Sequence, residues 1–268
     1  MADNLDLLSS KFVFENTNIY SLSIRHQPDG YSFSVLDDNG IVVAIKHVVC
    51  DKNYDLGGDP LLNLHFKSIK YIECSQYAII PDALLSDKSK LFLPLEKDKI
   101  AIYGTKCCTP ISSVISEKVN VVFVSNDKQL PSPLKQLMQN GFEILFTHEM
   151  ALLINMATSV EERIFMLCEV MANALNIIAV NNGKMVMCTS YDVNSELDIL
   201  YYVMEAYHVL NFDPNSVKLF FIGDMVTFPF LNEVKKFVRF CSSIPPANLS
   251  ADIIIPNPEY FTLISNSI

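Results

Sequence analysis

The chain has 268 residues, half of them hydrophobic, with mean hydropathy of +0.25. Against 20 Lys and Arg stand 30 Asp and Glu, a net charge of −10 with no basic block, so the sequence gives no reason to expect nucleic-acid binding. The seven cysteines are odd in number and lack any C-x-x-C pair, which points to a reducing, cytoplasmic setting rather than a disulfide framework.

Residues 1–17 read as a leader with no basic n-region or apolar h-region, and residues 11–15 as an edge strand. Three strands are expected next, over 20–25, 31–36 and 41–49. The last two are joined by Asn39-Gly40 as a tight primed turn. In the middle strand Tyr31, Phe33 and Val35 alternate with Ser32 and Ser34, which predicts that one face is wet or contacts something polar. Residues 51–60 read as loop, 61–66 as a short helix, 70–80 as one strand and 81–85 as a helical turn. After a loop over 91–99 come strands over 100–103 and 119–124. The vicinal Cys107-Cys108 reads as a buried thiol pair rather than a redox or metal site. A helix over 131–139, a strand over 142–146 and a helix over 148–157 complete a first half, residues 1–150.

The second half, 151–268, begins again with strands over 163–168, 176–180 and 184–189, and again an Asn-Gly turn at Asn182-Gly183. From Ile19 to Ile164 is 145 positions and from Gly40 to Gly183 is 143, so the two meanders keep register but for two residues. The apolar window 164–180 holds Glu169, Asn173 and Asn176, which argues against a membrane span. Ser195 and Asp198 form a capping box for a helix whose apolar face is expected at Leu197, Leu200, Tyr201, Met204 and Tyr207 or His208. A continuous apolar strand over 217–222 ends at Gly223-Asp224. Pro229 opens another helix, and 253–255 is a last extended piece.

Three antiparallel strands followed by helix, buried strand and helix, given twice over residues 18–255, resemble the duplicated ribonuclease-H-like unit of the actin-like ATPase superfamily. The chain is most similar there to an uncharacterised bacterial family of unknown function. The resemblance lies in the hairpins 31–40 and 179–183 and in the segment 196–204 leading to 219–224. It implies an α/β fold of two duplicated ribonuclease-H-like units with a degenerate nucleotide cleft. In active members the turn between the first two strands of each half carries an Asp with Gly or Thr, which cradle phosphates and hold a metal.

At those places this chain offers Asp29 and Gly30 in the first turn, Glu169 at the second and Gly223 after the buried strand. Pro28 removes a donor from the first turn, and the second has no glycine, so both read as structural turns. Arg25 and His26 beside Asp29 are the one other small polar candidate, with His26 read as a solvated turn residue. The five histidines show no metal spacing, Asp37-Asp38 belongs to its turn, and Tyr201-Tyr202 reads as core. There is no P-loop, no G-x-S-x-G elbow and no carboxylate in the first strand for a nuclease. The expectation is a non-catalytic, cytoplasmic module with no cofactor, working through a protein partner or as a homodimer. Its surface is sought on the strand of Tyr31, Phe33 and Val35, the other reading being that these residues face the core and the serines face water. The alternative is an ATP-dependent phosphotransferase or ATPase with a drifted site.

Overall fold

The computed structural model describes residues 5–27, 30–49, 59–75, 77–81, 107–108, 119–123, 130–171, 173–223, 228–244 and 249–253. Strands β1 (Leu5–Leu8), β2 (Ser21–Gln27), β3 (Gly30–Leu36), β4 (Val42–Val49), β5 (Ser68–Glu73) and β9 (Ile144–His148) form a first sheet. Its order is β1-β4-β3-β2-β5-β9. Strands β10 (Ile164–Met171), β11 (Ala174–Asn181), β12 (Lys184–Asp192), β13 (Lys218–Gly223) and β14 (Cys241–Ser243) form a second, ordered β12-β11-β10-β13-β14. Removing β1 from the first sheet leaves the order of the second, antiparallel through the meander and parallel beyond it. A third sheet joins β6 (Tyr77–Pro81), β8 (Val119–Phe123) and β7 (Cys107–Cys108).

The two meanders match in detail. The pairs that close their first turns, Gln27 with Gly30 and Met171 with Ala174, lie 144 positions apart. So do the bulges, at Val35/Leu36 and at Ala179/Val180. The second turns differ. Asn182 and Gly183 both have positive φ (50° and 76°), the primed hairpin expected of Asn-Gly. In the first hairpin Gly40 alone is positive (74°), because the Asp37 carboxylate accepts from the N–H groups of Asn39 and Ile41 and builds a longer loop.

Both faces of β2, β3 and β4, and of β10 and β11, are covered, which is why these strands read as nearly unbroken apolar runs, whereas β12 at the sheet edge has no buried residue. One face of the first sheet packs Leu22, Ile24, Phe33 and Val35 with Tyr71, Leu62 and Leu134. These last two come from a 3-10 turn (Pro60–Asn63) and from α1 (Ser132–Gln139). The corresponding face of the second sheet packs Met166, Cys168, Ile177 and Phe221 against α3 (Glu196–Val209) and α4 (Phe228–Val234). Its other face meets α2 (Glu149–Thr158) and β8.

Several expectations are corrected. The edge strand is β1 rather than 11–15. Phe14–Ile19 coils into a 3-10 turn, where Thr17 Oγ1 donates to the Phe14 carbonyl. Ser9, Ser10 and Ser250 converge on the Asp252 carboxylate and anchor the end of β1. The run 70–80 is two strands in different sheets, β5 and β6. The short helix at 61–66 is the 3-10 turn over Pro60–Asn63, capped by Asp59. Of the two readings of Ser32 and Ser34 the polar contact holds and the wet face does not: both are buried, and Ser32 Oγ bonds His47 Nδ1 at 2.8 Å. Strand β3 is third from the edge, so Phe33 and Val35 are core and offer no surface. On α3 the buried stripe is Ile199, Val203, Ala206 and Tyr207, while Leu197 and Tyr201 point outward. The helix is apolar enough for two stripes to satisfy the helical period, and the sheet takes one of them. The expected segments at 51–58, 82–106 and 254–255 lie outside the described residues.

Candidate functional site

Arg25 faces Ser32 across the first turn, and Glu169 faces Asn176 across the second. Since the turn-closing pairs differ by 144 positions, Arg25 and Glu169 occupy the same place in the two meanders. Their side chains meet between the sheets. Arg25 Nη2 donates to Glu169 Oε1 at 2.8 Å and to Glu149 Oε2 at 2.9 Å, and all three residues are buried. Asn176 Nδ2 closes the ring, donating to Glu169 Oε2 at 3.0 Å and to Glu149 Oε1 at 3.4 Å. The Met171 sulfur lies against the same guanidinium nitrogen.

The N-terminus of α2 supplies the third ionic member. His148 caps this helix, its Nδ1 accepting from the Met150 N–H at 3.0 Å. The ring proton therefore sits on Nε2, which donates to the Ser75 carbonyl at 2.9 Å. Burial lowers the His148 pKa and keeps the ring neutral. Tyr77 and Phe123 close over the ring at 5.0 and 5.3 Å.

Burial works to raise the pKa of Glu149. The Arg25 guanidinium, with a hydrogen bond from the Cys74 thiol, outweighs it and holds the carboxyl below its ordinary range. Burial, and then Glu149, push the Cys74 thiol well above its usual value, so it stays protonated and unreactive. Burial likewise opposes the charge on Arg25, but Glu169 and Glu149, with a hydrogen bond to Cys74, more than restore it. The site thus holds one guanidinium between two carboxylates, with no aqueous face.

The positions singled out from sequence are only partly brought together. Glu169 is at the centre of the cluster. Gly223 ends β13 opposite Val170, one residue along from the Glu169–Ile222 pair, and Gly30 opens β3 opposite Gln27. Asp29 lies outside the described residues. His26 is in β2 and not a solvated turn residue: it stacks on Tyr31 at 4.6 Å, and burial lowers its pKa. Sequence reasoning missed Glu149, His148, Cys74 and Asn176 as members of one site. Asn176 carried a signal, since it and Glu169 are the inward polar residues of two facing apolar strands. Among the described residues no group of three His, Cys, Asp or Glu side chains is arranged to hold a metal ion.

A family model described as a protein of unknown function, DUF3822, matches residues 9–241. The chain belongs to this family. No curated protein matches it. Among solved structures it is similar to a protein of Bacteroides thetaiotaomicron with an actin-like ATPase fold and unknown function. Identity is 18% and the TM-score 0.64, over 88% of this chain and 94% of that one. It is also similar to a chain of the PilM-PilN type IV pilus biogenesis complex, at 8% identity and TM-score 0.62, over 92% of this chain and 97% of that one. At such identities the likeness establishes the fold, and the fold is actin-like, built of ribonuclease-H-like units. In this DUF3822 member the Arg25–Glu169 pair joins the first strands of the two meanders, β2 and β10.

Proposed function

We propose that this DUF3822 protein is a non-catalytic, cytoplasmic assembly module of bacterial origin on an actin-like frame, acting through a protein partner. In this reading residues 1–150 and 151–268 are two halves descended from one duplicated unit. The matching turn closures and bulges support that descent.

The observation that carries the reading is the buried Arg25–Glu169–Glu149 cluster. A triphosphate carries several negative charges and needs donors and a metal at the turns. Here the inward positions before those turns hold Arg25 and Glu169, Glu149 at the start of α2 adds a second carboxylate, and the cation between the two acids is already paired. Freeing Arg25 to meet a phosphate would leave carboxylates uncompensated in the interior, at about 3–5 kcal/mol. A neighbour of the same fold that forms a complex with a partner in pilus biogenesis supports a role in assembly.

Melting curves with and without magnesium and millimolar ATP test this reading. A ligand at 100 times its Kd stabilises the folded state by about 2.7 kcal/mol. We expect no magnesium-dependent shift. A rise with ATP that adenosine does not produce would establish the competing reading, an ATPase or phosphotransferase with a drifted site.

A further inference from the structure

The two sheets differ at one edge. In the first, β1 adds antiparallel to the outer side of β4, pairing Leu5 with His47 through Leu8 with Ala44. The counterpart of β4 in the second sheet is β12, and among the described residues nothing pairs with its outer side. We infer that β12 is a strand-addition site whose occupant is β12 of a second copy, antiparallel across a two-fold axis. This inference rests on the assembly reading above and names its partner.

β12 is the longest edge strand among the described residues, nine residues against four in β1, five in β9 and three in β14. Exposed edges are ordinarily blunted by short length, proline or interior charge. The sequence Lys-Met-Val-Met-Cys-Thr-Ser-Tyr-Asp has no proline and no charge but the terminal Lys184 and Asp192; its one protective device, the bulge opposite Ala179 and Val180, sits at the Lys184 end and leaves Met187 to Asp192 as regular ladder.

The backbone is set for pairing. The Val193 N–H donates to the Asn173 carbonyl at 3.0 Å, in register with Ala174 opposite Asp192. Alternation then turns Tyr191 and Thr189 toward β11 and presents the N–H and C=O groups of Cys188, Ser190 and Asp192 outward.

Charge selects a second copy as the occupant. Antiparallel pairing about Cys188 brings the Lys184 end of each strand beside the Asp192 end of the other. Opposite charges then meet at both ends of a self-complementary edge. Apolar surface flanks that edge: Val186 is 45% exposed, and on α3 Tyr201 and Leu197 are 62% and 75% exposed. Tyr202, next to Tyr201, stacks on Tyr191 of β12 at 4.1 Å, which fixes this helix beside the edge.

The test is light scattering on the full chain over a concentration series, read with circular dichroism. The expected result is a dimer. Ser190→Pro removes an outward N–H while leaving the β11 bonds intact, and gives a folded monomer. Asp192→Lys sets lysines against each other at both ends and weakens the dimer roughly tenfold. Adding Lys184→Asp restores it, which keeps the test decisive should Ser190→Pro fail to fold. A wild-type monomer at the highest soluble concentration, or a dimer indifferent to the charge reversal, overturns the proposal. A monomer that shows no magnesium-ATP shift overturns the strand pairing alone, whereas such a shift overturns the assembly reading whatever the oligomeric state.

Discussion

His148 shows how one side chain can be read through its two nitrogens. Nδ1 caps α2 and Nε2 reaches Ser75, so the fold requires the neutral ring, and burial lowers its pKa. In the unfolded chain the ring takes up a proton below about pH 6.5. The folded-state pKa is the lower of the two, so the stabilisation is present above pH 6.5 and is lost as the pH falls. His26, its pKa also lowered by burial, contributes with the same sign. Urea unfolding between pH 7 and pH 5 should therefore show stability falling with acid. His148→Asn retains an acceptor for the cap and removes this titration. The variant should be less stable at pH 7 but show a shallower fall, with the residue of the slope left to His26. An unchanged slope would mean that the His148 pKa is the same in the folded and unfolded chain, and the neutral-ring assignment would be wrong.

At the scale of elements, β3 decides between a surface and a core. It lies between β4 and β2, and Phe33 is packed with Ile24 and Tyr71. Phe33→Asp would put a carboxylate where no water or cation reaches it, a penalty comparable with the whole stability of a domain. Circular dichroism should find this variant unfolded at 25 °C, while a folded protein would return β3 to the list of candidate interfaces. The meanders themselves were legible because β-branched runs of strand length flank Asn-Gly at a constant offset. The break inside 70–80 was not. Cys74 and Ser75 are no more polar than ordinary strand residues, and a change of sheet leaves no mark on an apolar run. The edge at Leu5–Leu8 was hidden for a different reason, since its anchor, Asp252, is more than 240 positions away. The Arg25 cluster was half visible. Glu169 stood out as a charge in an apolar strand, and its offset from Arg25 matches the repeat, but nothing in the chain marks Glu149 as the third member.

For the whole molecule, the question is what couples the two sheets. Each has its own apolar cluster, one around Phe33 and Tyr71, the other around Met166 and Phe221. The interior between them is shared by α2, β8 and the ion cluster. Arg25 is the one member that the first meander contributes to that cluster, so its removal acts on the coupling more than on either core. Arg25→Leu leaves Glu149 and Glu169 buried without their cation, which costs about 3–5 kcal/mol. The loss should fall on the contact between sheets, because Leu22 and Ile24 beside it pack on the opposite face of β2. Calorimetry should give one transition for the wild type, with equal van't Hoff and calorimetric enthalpies. The variant should melt earlier and in two steps. Glu169→Gln added to Arg25→Leu removes one of the stranded charges and should recover part of the loss. A single transition in the variant, merely shifted to lower temperature, would place the coupling in the apolar packing of α2 and β8 and reduce the ion cluster to a local feature.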